Sequence, residues 1–270
     1  FFNLAADSLH GIFGTTHGRS YARNLVHPDM EGTSATCWLL FGEGSLHGGT
    51  GMSPVCLATS SYSLPELIAR IGTDRRTVSE SRQQQGTLMG TIPSANFVVY
   101  RTPDYMMSGL QDHRKGEYES STHVAQVSFE DQTVVFFSCP HTSGEGGGLR
   151  PDYWSGHTTL PRVIQHQNVM SLTWRLSEFA WMSHCFFEPE RFDEVRYEGK
   201  WTFARKNKAY VGIWSENGME IGRTGQYAGR ELICRAGENT WLVECGRKAD
   251  QGSFEAFVNA VLGASIKASG

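Results

Sequence analysis

This sequence has little charge, no long apolar run and none of the common motifs for nucleotide binding. Asp, Glu, Lys and Arg make up only 19% of its 270 residues, against about 25% in an average protein. The net charge of −4 argues against capture of nucleic acid or of an anionic membrane surface. No apolar run approaches the roughly 18 residues of a membrane span. No P-loop, dinucleotide fingerprint or G-x-S-x-G nucleophile elbow is present.

Aromatic residues and glycine, in contrast, are plentiful. Seven Trp and 15 Phe among 39% apolar residues are enough for a substantial core, which excludes a disordered chain. The 30 glycines have no three-residue period, which excludes a collagen-like chain. No C-x-x-C pair occurs, so the cysteines are interpreted as small buried hydrophobes, with a disulfide or two as the alternative. They are Cys37, Cys56, Cys139, Cys185, Cys234 and Cys245.

The pattern divides the chain into a helical or loop segment over residues 1–93 and a β domain over 94–270. In the first segment, residues 64–71 predict a helix, because Ser63 can cap it and Leu64, Leu67, Ile68 and Ile71 form one stripe. Residues 75–90 are polar and rich in Gln, which indicates a loop or a weak helix.

The second segment is typical of an antiparallel β-sandwich. Apolar runs at 97–100 and 105–107 flank a Thr-Pro-Asp turn, and 123–129 and 133–138 form a hairpin pattern. Asn217-Gly218 predicts a further hairpin turn, because this pair accepts positive φ. An amphipathic stripe predicts a C-terminal helix over 254–262. Other strands are predicted at 162–174, 180–187, 192–197, 200–206, 209–215, 218–223, 230–235 and 239–245.

A long insert at residues 139–159 interrupts the strand pattern. It carries the run Gly144-Glu145-Gly146-Gly147-Gly148 and then Arg150-Pro151-Asp152-Tyr153-Trp154. Loops of this length within a compact domain are usually functional or disordered. The Arg and aromatic content favours a ligand-facing loop, with a solvated connection as the alternative.

The first candidate site is a cluster of His, Arg and Tyr near the start of the chain. His17 and Tyr21 are four residues apart, so on a helix both face the same side. A Tyr beside cationic groups can have a lowered pKa and transfer protons. The alternative is a buried Tyr21 that hydrogen-bonds to His17, with Arg23 at the surface.

Two further groups of residues are candidates on weaker grounds. The run Gln111-Asp112-His113-Arg114 is followed by His123, which opens a predicted strand and can face a cleft, although a single strand His is more often structural. A set of four His with two acidic neighbours could bind zinc, but none has the spacing of a known zinc motif. The set is His141, His157, His166 and His184 with Glu145 and Asp152.

Several motifs resemble the C-terminal portion of heparinase II/III-like proteins, a group of polysaccharide lyases and their relatives. Among them are Gln111-Asp112, His123-Val124-Ala125-Gln126 and Arg150-Pro151-Asp152-Tyr153-Trp154-Ser155-Gly156. The others are at residues 14–21, 100–108, 160–163, 192–195 and 201–206. The resemblance covers roughly residues 10–262. It implies a large antiparallel β-sandwich that follows the last helices of an incomplete α/α toroid.

The resemblance also implies β-elimination at a uronic acid, with proton transfer by a Tyr and a His. The implied catalytic residues are Tyr21, His123 and His17. A guanidinium or an amide would bind the uronate carboxylate, and aromatic faces would stack on sugar rings. These binding residues are Arg19, Gln111, Arg150, Tyr153 and Trp154.

The elimination itself needs no cofactor, and zinc or calcium stays a secondary alternative because the tight His-x-His-x-Asp pattern is missing around His123. The expected partner is an acidic polysaccharide or oligosaccharide, with no nucleic acid or membrane, in a secreted or periplasmic location. The chain starts at Phe1 without a Met, so it is expected to be part of a longer protein or to need another chain.

A non-catalytic carbohydrate-binding or scaffolding sandwich is the main alternative to a lyase. A hydrolase would need two paired carboxylates, and no such pair is evident.

Overall fold

The computed structural model describes residues 66–67, 78–85, 94–119, 123–130, 133–143, 150–154 and 156–266. Their strands form two antiparallel sheets. In spatial order, the eight-stranded sheet contains β1 (Ser79–Gln85), β2 (Ala95–Arg101), β3 (Tyr105–Gln111), β4 (Ala125–Phe129), β5 (Val134–Ser138), β8 (Ser183–Phe186), β13 (Glu231–Cys234) and β12 (Glu220–Ile221). The six-stranded sheet contains β6 (Arg162–His166), β7 (Val169–Arg175), β14 (Glu238–Arg247), β11 (Ala209–Ser215), β10 (Trp201–Lys206) and β9 (Glu194–Glu198).

The main core lies between the two sheets, as the β-sandwich prediction requires. Met107 and Val127 of the larger sheet belong to the same buried cluster as Leu172 and Val211 of the smaller sheet. The Trp241 indole joins the layers by donating a hydrogen bond of 2.8 Å to Ser183 Oγ. The predicted β-sandwich is therefore confirmed.

Burial along the strands differs between the sheets. In β6 and β7 every second residue is buried, which is the pattern of strands covered on one face only. In β3, β4, β5, β8 and β13 every residue is buried. The central strands of the eight-stranded sheet are therefore covered on both faces.

Two helices follow the last strand. They are α1 (Lys248–Gln251) and α2 (Phe254–Gly263), and the predicted helix over 254–262 corresponds to α2. Ser253 caps α2 by accepting a hydrogen bond from the amide of Ala256. Phe254 and Phe257 pack on Phe203 and Tyr210, so α2 covers the outer face of the six-stranded sheet. Leu262, predicted in the buried stripe, is 45% exposed.

Two local predictions are wrong. The loop or weak helix expected over 75–90 contains β1, which pairs with β2 along its whole length. Asn217-Gly218 does form a turn with a positive φ of 79° at Gly218, but no hairpin follows. Its flanking strands, β11 and β12, belong to different sheets, so the turn carries the chain from one layer to the other.

Other predictions are confirmed or fall outside the described residues. The pairs β2–β3 and β4–β5 are hairpins, whereas the 162–174 stretch, predicted as one strand, contains two strands, β6 and β7, that pair as a further hairpin. Four of the six cysteines are described, and all four are buried free thiols. Of the helix predicted over 64–71, only Glu66 and Leu67 are described, and both are helical. The division at residue 93 stays a prediction, although the sheet itself starts at Ser79.

Candidate functional site

The outer face of the eight-stranded sheet carries buried polar side chains where a structural face would be apolar. His184 of β8 and Glu231 of β13 are 0% and 2% exposed, and His123, two residues before β4, is 0% exposed. Apolar and aromatic residues surround them, including Phe136, Phe186 and Ile233. Buried polar groups of this kind are tolerated where hydrogen bonds satisfy them.

His184, Glu231 and Tyr153 form a closed hydrogen-bond network. His184 Nδ1 lies 3.0 Å from Glu231 Oε2, and the Tyr153 hydroxyl donates to the same oxygen at 2.9 Å. His184 Nε2 lies 2.9 Å from the Tyr153 carbonyl oxygen and donates to it, since a carbonyl can only accept. Burial lowers the pKa of His184, and the hydrogen bond with Glu231 opposes that shift. Both ring nitrogens of His184 and the Tyr153 hydroxyl therefore have hydrogen-bond partners within this network.

His123 lies beside this network with a different hydrogen-bond pattern. Its Nε2 donates to the carbonyl oxygen of Trp154, and its ring stacks on Phe136 with a centroid distance of 4.4 Å. Complete burial lowers its pKa to about 4, so the ring is neutral near pH 7. The proton then resides on Nε2, and Nδ1 keeps its lone pair. Nδ1 has no hydrogen-bond partner among the residues that the structure describes.

The segment 150–154 covers this face of the sheet. The Trp154 ring stacks on His184 at 3.9 Å, and the Tyr153 ring stacks on Tyr227 at 5.1 Å. Arg150 forms an ion pair with the buried Asp152. This part of the predicted ligand-facing loop is thus packed structure. Stacking of Tyr153 and Trp154 on sugar stays a prediction, and it would require this packing to open.

The remaining predicted site residues lie apart or outside the described residues. Gln111 ends β3, and its Oε1 accepts a hydrogen bond from the amide of Gln165, so its side chain joins the two sheets. It also lines a cleft of about 660 Å³ with the exposed cations Arg114, Lys115 and Arg162. His17, Arg19 and Tyr21 lie outside the described residues. Their expected position near His123 stays a prediction.

The histidines proposed as a zinc set are not gathered in one place. His157 and His184 are buried, whereas His141 and His166 are exposed, and Glu145 lies outside the described residues. Within the described ranges, no group of three or more His, Cys, Asp or Glu side chains is placed to hold a metal ion. His184 instead pairs with Glu231, which was not among the predicted site residues. The one feature of the sequence that could have indicated Glu231 is its carboxylate in an otherwise apolar strand, Glu231–Cys234.

A second cleft adjoins this network near the start of β8 and the end of β13. It has a volume of about 330 Å³, and Tyr153, Glu231 and Tyr227 are among its lining residues. Trp181 also lines it and is 39% exposed. This cleft therefore connects the buried network with solvent.

The comparisons with known proteins give no match to this chain, whether to a family model, a curated protein or a solved structure. Among the described helices, none has the length and apolar character to cross a membrane. The function must therefore be argued from the site itself.

Proposed function

We propose that this protein cleaves a uronic-acid-containing polysaccharide by β-elimination, with His123 as the base. The observation that carries the proposal is the neutral imidazole of His123, whose Nε2 donates to Trp154 while Nδ1 keeps a lone pair. Removal of the proton at C5 of a uronate requires an unprotonated base near neutral pH. Burial keeps the ring unprotonated at neutral pH, and exposure of the ring to substrate would return its pKa toward 6.5, where a general base is more effective.

The proposal also needs a positive group that neutralises the uronate carboxylate. Arg162 and Lys115 line the 660 Å³ cleft near Gln111, and neither makes an ion pair with a described residue. Cations that are not already paired can bind a carboxylate without first losing an internal partner. Arg19 and Arg150 stay as further candidates for this role, and Tyr21 stays the candidate acid.

Because His123 is fully buried, substrate would reach its ring only if the covering segment moves. Movement of a loop upon substrate binding is common among enzymes that exclude water from the reaction. The segment around Trp154 accepts the hydrogen bond from His123, so it is the element expected to move. Acidic glycans of this kind occur outside cells, and the proposal therefore includes a secreted or periplasmic location.

The test is formation of an unsaturated uronate, followed by its ultraviolet absorbance, with heparan, hyaluronan and alginate as substrates. We expect His123→Gln to lower the rate at least about 100-fold, as expected for loss of a general base. His157→Gln is the matched control, because His157 is also fully buried near this loop. It should destabilise the protein while leaving the rate per folded molecule near that of the wild type. No product from any of these glycans, or equal rates for the two variants, would contradict the proposal.

A non-catalytic carbohydrate-binding role is the second candidate. The complete burial of His123 favours it, since a binding module needs no accessible base. In that case the protein would bind acidic glycans, measured by calorimetry, without releasing an unsaturated product.

A further inference from the structure

We infer that the 330 Å³ cleft between Trp181 and the 222–230 loop binds a sugar that carries a carboxylate. This inference deepens the proposed function, because it places a uronate subsite away from His123 and names the residues that would hold it. It rests on the proposed glycan specificity but not on catalysis. The cleft combines an exposed aromatic ring with two guanidinium groups, which is the chemistry that an acidic sugar requires.

Trp181 supplies the aromatic surface. Its side chain is 39% exposed, although most Trp side chains in this fold are buried. The Arg235 guanidinium lies 5.7 Å from its ring centroid, and Tyr153 is tilted against it at 6.4 Å. These contacts hold the indole in place while part of its surface stays open. A ring held in this way loses little conformational entropy when a sugar stacks on it.

Arg235 and Arg223 supply the positive charge. Arg235 donates from Nε to Glu220 at 3.1 Å, and this pair leaves its two Nη groups without a partner among the described residues. Arg223 is exposed and forms no ion pair within the described part of the chain. A guanidinium binds a carboxylate through two parallel hydrogen bonds, which an ammonium group cannot do. Glu220 and Gln226 line the same cleft and can accept hydrogen bonds from sugar hydroxyls.

The floor of the cleft is already formed in the closed arrangement of the 150–154 segment. Tyr153 and Tyr227 stack there, and the Tyr153 hydroxyl donates hydrogen bonds to Glu231. Gly222 approaches this floor so closely that a Cβ atom would lie 2.5 Å from Glu231 Oε1. The 222–230 loop can therefore pack against Glu231 only with glycine at this position. A preformed site of this kind avoids the cost of ordering its side chains upon binding.

The cleft also lies on the same end of the sheet as His123. β4 and β8 begin at this end, whereas β5 and β13 finish there, as the pairs Ser138–His184 and Cys234–Ser183 show. Three strand spacings of about 4.8 Å separate β4 from β13, or roughly 14 Å. One glycan could therefore contact both places.

The test is calorimetric titration of the whole chain with uronic-acid oligosaccharides from hyaluronan, alginate and heparan. Arg235→Gln and Trp181→Ala should each raise the Kd roughly tenfold or more. Arg175→Gln is the matched control, because Arg175 forms a similar exposed pair from Nε to Glu238 on the other sheet. It should bind like the wild type. A carboxyl-reduced oligosaccharide should bind weakly to the wild type and lose little further affinity in Arg235→Gln.

The outcomes separate this inference from the lyase proposal. Binding that depends on Arg235 and Trp181 without any unsaturated product supports the cleft and overturns the lyase. If product forms and both cleft variants bind the oligosaccharides with unchanged affinity, the cleft inference is overturned and the lyase proposal is supported. The cleft inference is also overturned if the wild type binds none of these oligosaccharides.

Discussion

The covered parts of the outer faces of the two sheets have opposite chemistry. On the six-stranded sheet, α2 places Phe254, Phe257 and Val258 against Trp201 and Phe203. On the eight-stranded sheet, the covering segments enclose His123, His184 and Glu231. Burial of the first set is favourable by itself, whereas burial of the second needs hydrogen bonds to offset lost hydration.

This difference indicates which face has a role beyond stability. Apolar residues of similar volume would cover the larger sheet at lower cost, since buried polar groups rarely improve stability over an apolar core. The polar face moreover adjoins the 330 Å³ cleft, through Tyr153 and Glu231 near β13. We therefore expect substitutions on the two faces to separate stability from function.

The largest effect should come from Phe257→Ala on the apolar face. Phe257 is 1% exposed and packs on Phe203 and Tyr210, so its truncation leaves a cavity that costs about 3–5 kcal/mol. Urea denaturation followed by circular dichroism measures this loss. Leu262→Ala on the same helix is the control, since Leu262 is 45% exposed and should cost less than about 1 kcal/mol. Glycan binding by the folded fraction should be unchanged. Reduced binding would contradict the expectation that the apolar face serves stability alone.

An intermediate effect should appear in the pH dependence that His123 confers on stability. Its pKa is about 4 in the folded protein and 6.5 for the free side chain. Below pH 6.5 the unfolded chain binds a proton that the folded ring does not accept. The contribution of His123 is therefore complete above that pH and is lost as the pH falls toward about 4. Between neutral pH and about pH 5 the loss amounts to roughly 2 kcal/mol.

Urea denaturation at the two pH values measures this contribution as a difference between proteins. Wild type should lose about 2 kcal/mol more than His123→Gln over this interval, because the variant lacks the titrating ring. The other ionisable groups, His184 and Glu231 among them, are common to both proteins. If wild type and His123→Gln lost the same stability between the two pH values, His123 would accept a proton in the folded protein. The chemical difference between the two sheet faces would then be smaller than the structure indicates.

Periodicity predicted the sandwich because strand alternation is a local property of the chain. The β4–β5 hairpin and α2 were evident from their spacing alone. β1 was missed because its sequence, Ser-Glu-Ser-Arg-Gln-Gln-Gln, has no apolar alternation and gains its strand structure by pairing with β2. Tertiary pairing here outweighs local propensity.

The site was harder to predict because its contacts connect distant parts of the chain. His123 was identified from its position at the start of a predicted strand, but its partner Trp154 is 31 residues away. Glu231 lies 78 residues from Tyr153 and 47 from His184, and no local pattern connects them. For Asn217-Gly218, the turn could be predicted because it depends on local φ preferences. The sheet that the following strand joins could not, because it depends on pairing with strands that are distant in sequence.

The smallest effect is expected at Gly218, in the turn that joins the two layers. Gly218 has a φ of +79° with open space around it, so Gly218→Val is strained by backbone conformation alone. The left-handed conformation costs a residue with a Cβ atom roughly 1–2 kcal/mol. Gly237→Ala is the control, because Gly237 also has open space but no positive φ. Its stability in urea should stay near that of the wild type. Since Ser215 holds the turn by donating from its hydroxyl to the Gly218 carbonyl, a stable Gly218→Val protein would mean that the turn can change conformation without separating the sheets.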